Sequence, residues 1–245
     1  MSTKELVYKY LKDNQDKYLS GSFLASEIGV SRNAIWKAIK TLESEGVEID
    51  GITKKGYKIV KEGERFTASE VANHLDDDER FDIKVFGSID STNTYLKDLA
   101  AKGAKEGTLV VAGKQLEGRG RMNRPFISPE ESGVYFSLLL RPKLSAEKSL
   151  YITTIAAVAV ALAVKKITGK EPGVKWVNDI LLDNKKICGI LTEGAISMEN
   201  GMMDYAVLGI GINIKEPEDG WPKELNGIAG SIYKKNEEIP VDIRT

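Results

Sequence analysis

The chain has 245 residues, a formal net charge of -1 at pH 7 and 42% hydrophobic residues, which describes a globular protein of one large or two smaller domains. Near-neutrality excludes a polyanion-coating protein, so any nucleic-acid contact has to come from a local basic patch. One cysteine, Cys188, excludes an internal disulfide and a cysteine zinc cluster and fits a reducing cytosol.

From the N-terminus, Leu6, Val7, Tyr10 and Leu11 recur at helical spacing and predict a first amphipathic helix over residues 4–11. The same stretch lacks the apolar core of a signal peptide. Next, Ser22 is positioned to cap a short helix through Ile28, with Gly29 as its stop and Ser31 as the cap of a second helix. Ile35, Ile39 and Leu42 form that second helix's apolar stripe, with Trp36 read as a packing residue. Two helices joined by a tight turn are the helix-turn-helix pattern, and strands at 47–52 and 56–60 would add a wing. Ser31, Arg32, Asn33 and Lys37 sit where a recognition helix meets the major groove, and Lys54 and Lys55 on the wing could neutralise phosphates. A winged helix used for protein contacts is the competing reading. The polar stretch 61–65 marks the domain boundary, which predicts a DNA-binding domain over residues 1–62 and a second domain over 66–245.

In the second domain, His74 beside an acidic run reads as a surface residue. A strand over 81–89 leads into D-S-T-N, residues 90–93, where Asp90 or Ser91 can cap a helix and leave further polar groups for a ligand. A strand over 107–115 then enters E-G-R-G-R-M-N-R-P-F-I-S-P, residues 117–129, and a strand over 133–141 leaves it. Glycine permits close backbone approach, and arginine's planar fork fits carboxylates and phosphates. The loop is an anion clamp or a solvated basic loop.

Ser145 is placed to cap an alanine-rich helix running to about 167. Its longest apolar run, 155–164, is shorter than the roughly 20 residues of a membrane span, so it reads as a buried core helix. One strand over 173–182 carries Lys175, Asn178 and Asp179, and strands at 186–193 and 205–214 complete an antiparallel meander. The whole is an α+β fold with a mixed sheet. Gly209-Ile210-Gly211 lacks the third glycine and following helix of a dinucleotide fingerprint, and no Walker sequence occurs. Cys188, within an apolar strand, reads as a buried inert thiol.

D-S-T-N (90–93), Q-x-x-G-R-G-R (115–121), K-W-V-N-D (175–179), K-I-C-G-I-L-x-E (186–193) and G-I-G-I-N (209–213) stand in the order found in biotin–protein ligases. With S-R-N-A-I-W-K-A-I-K before them, the chain resembles the bifunctional bacterial form, ligase and biotin operon repressor together. The resemblance covers nearly the whole chain. It implies a catalytic domain of the biotin/lipoate ligase, class II synthetase-like type. The implied reaction joins biotin and MgATP into biotinyl-5′-adenylate, then transfers biotin to a lysine of a carrier domain of a biotin-dependent carboxylase. Mg2+, operator DNA and an adenylate-bound homodimer follow from the same resemblance, whereas a cytoplasmic location without a membrane partner is expected from the missing signal-peptide core and the short apolar run.

By resemblance, Ser91, Thr92, Asn93, Gln115, Gly118, Arg119, Gly120, Arg121, Lys186 and Gly189 contact biotin or its adenylate. Arg119, Arg121, Phe126, Lys175, Asn178 and Asn213 match nucleotide contacts. Arg121 and Lys186 are the implied catalytic groups, with Asp179 positioning Lys186 or a magnesium ion. Three departures stand out: Val177 for a common proline, Met122-Asn123 where a residue and a glycine are usual, and Phe126 for a frequent tryptophan. The family also continues into a small C-terminal SH3-like β-barrel, which the resemblance implies is absent or truncated here. A ligand-sensing repressor without turnover and a lipoate-type ligase are the alternative readings.

Overall fold

The computed structural model describes residues 2–14, 17–44, 47–52, 55–61, 67–75, 80–197, 199 and 201–239. They fall into two compact units, Met1–Arg65 and Phe66–Thr245. The residues of the expected boundary beyond position 61 and the wing residue Lys54 lie outside the described residues.

In the first unit, α1 (Thr3–Lys12) starts in a capping box: Ser2 Oγ accepts from the Glu5 amide, and the Ser2 amide donates to the Glu5 carboxylate. The next helix, α2 (Gly21–Ile28), is capped by Ser20 rather than by Ser22, which already lies in its first turn. Gly29, at φ 75°, ends α2 in the left-handed conformation that glycine adopts most easily. Ser31 Oγ accepts from the Ala34 amide at 3.2 Å and starts α3 (Arg32–Ser44). The strands β1 (Glu48–Ile52) and β2 (Gly56–Lys61) pair antiparallel. Val7, Leu11, Leu24, Ile35, Ile39, Leu42 and Ile59 form one buried cluster.

Trp36 corrects the packing expectation, because it is 50% exposed. Ile35, Ala38, Ile39 and Leu42 complete the buried stripe of α3. At about 100° per residue, Trp36 turns away from that stripe, onto the flank that carries Arg32, Asn33, Lys37 and Lys40.

The second unit is built on a seven-stranded mixed sheet. Its strands are β3 (Asp82–Phe86), β4 (Thr108–Ala112), β5 (Gly133–Leu140), β6 (Gly173–Lys175), β7 (Asp179–Leu182), β8 (Lys185–Ile196) and β9 (Met203–Asn213). Their order is β3-β4-β5-β9-β8-β7-β6, with β3 and β4 parallel and every other neighbour antiparallel. A short helix, α4 (Ala68–Asn73), precedes β3. The helix α5 (Thr92–Ala101) follows β3, and its Leu96 and Ala100 cluster with Val110, Leu139 and Val207 of the sheet. The long helix α6 (Leu150–Thr168) buries Ile152, Ala156, Ala157, Val160 and Val164 in a cluster with Ile180, Ile187, Ile190, Leu208 and Ile210. Since paired strands alternate their side chains between faces, odd-numbered residues of β5 and β9 share the α5 side and even-numbered ones the α6 side.

Three expectations change in this unit. Residues 173–182 are two strands, not one: β6 and β7 form a hairpin in which Lys175 pairs with Asp179. Asn178 in the turn is held by a bond from its Nδ2 to the Ile190 carbonyl, 3.2 Å away. Ser145 makes no capping bond, because Ala146–Ser149 takes a 3-10 turn and α6 begins only at Leu150. Finally, α6 is not buried all round. Tyr151, Ile155 and Leu162 are more than 60% exposed. Residues Glu147–Thr168 are long and apolar enough to cross a membrane by length and composition. The buried stripe of α6 is nevertheless that of a core helix.

Candidate active site

Two rows of residues cross the α5 side of the sheet. Ser137 pairs with Gly209, which pairs with Leu191; Tyr135 pairs with Gly211, which pairs with Gly189. The glycines make a floor with no side chains, and two groups descend onto it. Asn93, from the first turn of α5, lies over Gly209, where a β-carbon would come within 2.1 Å of its Oδ1. Phe126, from the loop 117–129, lies over Gly211, where a β-carbon would come within 2.4 Å of the ring. The sequence explanation of G-x-G is therefore close approach rather than dinucleotide binding.

Around this floor stand the residues singled out from sequence. Ser91, Thr92, Asn93, Gln115, Arg119, Gly120, Arg121, Phe126, Asn178, Lys186 and Gly189 line one cavity. Ser91 caps α5, its Oγ accepting from the Thr94 amide. Gln115 joins the strand side to the helix: its Oε1 accepts from the Thr92 amide at 2.9 Å and its Nε2 donates to Ser128 Oγ at 3.0 Å.

The loop 117–129 folds back as a narrow hairpin, closed by bonds from the Gly120 amide to the Arg124 carbonyl and from the Phe126 amide to the buried Gly118. Met122 and Asn123 at its tip both have φ 56°, a conformation that glycine takes at less cost. The loop leaves Arg119 and Arg121 exposed. Arg121 donates to Asn178 Oδ1 at 3.1 Å. Asn178 Nδ2 in turn donates to Asp179 Oδ1 at 3.0 Å, and Asp179 pairs with Lys186 Nζ at 2.7 Å. Four residues from three segments thus form a continuous cation-to-cation chain, with one carboxylate holding the lysine. Lys186 Nζ also lies 5.8 Å from the Phe126 ring centroid.

Two predicted residues stand apart. Lys175 is exposed on β6 and is not among the residues lining this cavity. Asn213 is buried at the end of β9, where its Nδ2 donates to the Gly230 carbonyl at 2.9 Å and its Oδ1 has no partner. His74 is exposed and does not line the cavity either. Burial pushes the Cys188 thiol well above its usual range, which makes it inert. In the first unit, Ser31, Arg32, Asn33, Lys37 and Lys55 are all exposed.

Sequence reasoning assigned no role to Lys97, Ser137 or Glu193. The Glu193 carboxylate accepts from Asn93 Nδ2 at 2.8 Å and from Lys97 Nζ at 2.5 Å. Burial raises its pKa, but the bonds from Lys97 and Asn93 and the charges of Lys97 and Arg119 outweigh that and hold it below the usual carboxylate value. Glu193 closes the K-I-C-G-I-L-x-E motif and Lys97 is one helical turn beyond Asn93, so both left a trace in the sequence. Ser137 left only its parity with Tyr135 on β5.

The free cavity is about 40 Å³, far below the roughly 300 Å³ or more of a ligand pocket. The Phe126 ring occupies the space over Gly211. A larger cavity of about 680 Å³ lies between α6 and the sheet, lined by Val134, Val160, Ile210 and Ile212 among others. Among the described residues its lining is apolar, with no charged group and none of the predicted site residues.

The arrangement fits comparisons with known proteins. Residues 85–213 match the biotin/lipoate A/B protein ligase family, and residues 3–58 match a helix-turn-helix domain. The chain is 38% identical over 236 residues to the bifunctional ligase/repressor BirA of Bacillus spizizenii, covering 96% of this chain and 72% of the relative. It is 31% identical over 198 residues to the BirA of Escherichia coli, of which it spans 60%. Among solved structures it resembles a biotin protein ligase from Aquifex aeolicus in complex with biotin and ATP. That match has a TM-score of 0.51 and 32% identity, and covers 61% of this chain and 59% of the other. The chain belongs to the biotin/lipoate A/B protein ligase family, in the form that carries an N-terminal helix-turn-helix domain.

Proposed function

We propose that this chain is an ATP-dependent biotin–protein ligase that also represses biotin genes through its N-terminal unit. The observation that carries the reading is the convergence of Arg119, Arg121 and Lys186 on a pocket whose inner wall is Ser91, Thr92 and Gln115. The inner wall supplies hydrogen bonds to a neutral polar ring. The cations supply charge where a carboxylate meets a phosphate.

In the first half-reaction a biotin carboxylate oxygen attacks the α-phosphorus of ATP, and pyrophosphate leaves. Two anions approach each other in this step, so charge neutralisation is the main demand on the protein. Lys186, aimed by Asp179, and Arg119 and Arg121 on the loop meet it. In the second half-reaction a lysine amine of a biotin carboxyl carrier domain attacks the acyl carbon, and AMP leaves. Neither step needs a histidine. Phe126 and its loop move off the glycine floor as ligand enters, after which the loop shields the mixed anhydride from water. The displaced ring, Asn178 and Asn213 are the nucleotide side of the site, with Lys175 reaching the triphosphate.

A magnesium ion accompanying the triphosphate would supply further charge neutralisation there. Among the described residues no three His, Cys, Asp or Glu side chains cluster as a metal site, and Asp179 is the carboxylate that would hold the ion.

Residues 1–62 bind operator DNA through Arg32, Asn33 and Lys37 on α3 and Lys54 and Lys55 on the wing, as an adenylate-bound homodimer. The buried free thiol Cys188 suits a reducing cytoplasm. The test is biotinylation of a carrier domain followed by mass spectrometry. One biotin on one lysine, dependent on ATP and Mg2+, is the expected product; no modification with biotin and ATP present would refute the ligase reading.

A further inference from the structure

The face of α3 turned away from its buried stripe is polar and open, except at one place. Arg32, Asn33, Trp36, Lys37, Lys40 and Thr41 are its exposed described residues. None of them is acidic, and Lys40 is tied to Glu43 at 2.6 Å. The side chains of Arg32, Asn33 and Lys37 make no hydrogen bond or ion pair with another described residue. Trp36 interrupts this pattern with a large apolar ring, 50% exposed, in the second turn of the helix. The ring has no aromatic or cation partner among the described residues. Asn33, three residues before it, and Lys40, four after it, are its neighbours on the helix surface. Because Ile35, Ala38, Ile39 and Leu42 already complete the core stripe, the ring has no packing duty inside the unit.

We propose that Trp36 is a specificity-determining residue of the DNA interface, its indole lying against the C5-methyl group of a thymine in the major groove. The inference rests on the operator reading above and deepens it by naming a base that the helix selects. Arg32 and Lys37 give the face the charge that a polyanion requires, but such groups meet any phosphate and carry no sequence information. Base edges in the major groove are hydrogen-bonding groups with one exception, the thymine methyl. An indole gains from leaving water only against an apolar surface, so the methyl is the groove feature that matches it. Its single donor, Nε1–H, does not distinguish the N7 acceptors of adenine and guanine. Asn33 beside it suits adenine, whose N6 and N7 take a carboxamide in two hydrogen bonds. Trp36 and Asn33 together therefore favour a step that contains A·T pairs.

Duplexes selected from a random library by the full chain, with biotin and MgATP present, supply the probe, and fluorescence anisotropy reads their affinity. Replacing each thymine in turn by deoxyuridine removes only the methyl group. Wild type should lose about 3- to 10-fold at one thymine position, the worth of one buried methyl group. Trp36→Ala should bind the parent duplex at least about 3-fold more weakly, and at that position the deoxyuridine penalty should vanish. Trp36→Phe keeps an apolar ring and should keep most of the penalty. The salt dependence of binding should be the same in all three proteins, since no charge is lost. No penalty at any thymine in wild type, or a penalty that persists in Trp36→Ala, would overturn the inference. So would Trp36→Ala binding as tightly as wild type, which would assign the ring to a protein surface. The wild-type scan needs no variant and stands if either one fails to fold. Selection of no duplex by wild type would refute the operator reading itself, and the inference with it.

Discussion

Asn93 lies directly over Gly209, so close that a β-carbon at position 209 would come within 2.1 Å of its Oδ1. That contact ties the first turn of α5 to the centre of the sheet and fixes the wall of the ligand pocket. Gly209→Ala should therefore weaken biotin binding at least about 10-fold and destabilise the domain by roughly 1–3 kcal/mol, the usual cost of overpacking a tight site. Gly173→Ala, where nothing lies within 4 Å, is the control and should change neither. Calorimetry and thermal melts measure both.

Asp179 holds Lys186 at 2.7 Å, with both side chains about a quarter exposed. Asp179→Ala leaves the lysine free to leave the site. Adenylation should fall about 10- to 100-fold, the effect of losing one charge-assisted hydrogen bond in a preorganised site, while biotin binding falls much less. Single-turnover adenylate formation separates the two.

Arg121 reaches Asn178 from the exposed loop. Arg121→Ala should release the adenylate much faster while leaving the fold of the first unit unchanged. Rates of adenylate release by filter binding report the first effect. Retention equal to wild type would remove the clamp role.

Trp36, half exposed on α3, should not support the core. Trp36→Ala should change stability by no more than about 0.5 kcal/mol, whereas Ile35→Ala, at a fully buried position, should cost roughly 2–5 kcal/mol. Chemical denaturation of the two variants compares them directly.

Glu193 has a folded pKa below its ordinary value of 4.5. For such a carboxylate the contribution to stability is complete above the unfolded pKa and fades as pH falls through the folded one. Wild type should thus lose melting temperature more steeply than Glu193→Gln below about pH 4.5. Above pH 6 the difference between the two should be constant. Melting curves across that range decide it.

The ordered motifs made the family and most of the pocket legible before any coordinates. Ser91, Thr92 and Gln115 were readable because they stand at a strand-to-helix mouth, and Arg119 and Arg121 because glycine and arginine alternate in one loop. Local chemistry announced them. Ser137 and Glu193 were harder, because their importance arises from residues 44 and 100 positions away, a pairing that only sheet register creates. The break at Trp176–Asn178 was hidden for a related reason: a run of strand-forming residues conceals a turn that is held by a tertiary bond to Ile190. Trp36 was misplaced because a tryptophan beside an apolar stripe reads as part of it, although helical geometry already assigned that stripe to Ile35, Ala38, Ile39 and Leu42.

The central claim is that the cations around Lys186 join biotin to ATP. Biotin-dependent exchange of labelled pyrophosphate into ATP, catalysed by this 245-residue chain, measures that step alone. The account predicts exchange with biotin, little or none with lipoate, and a sharp loss in Lys186→Met. Exchange that is independent of biotin, or absent although biotin binds, would contradict it.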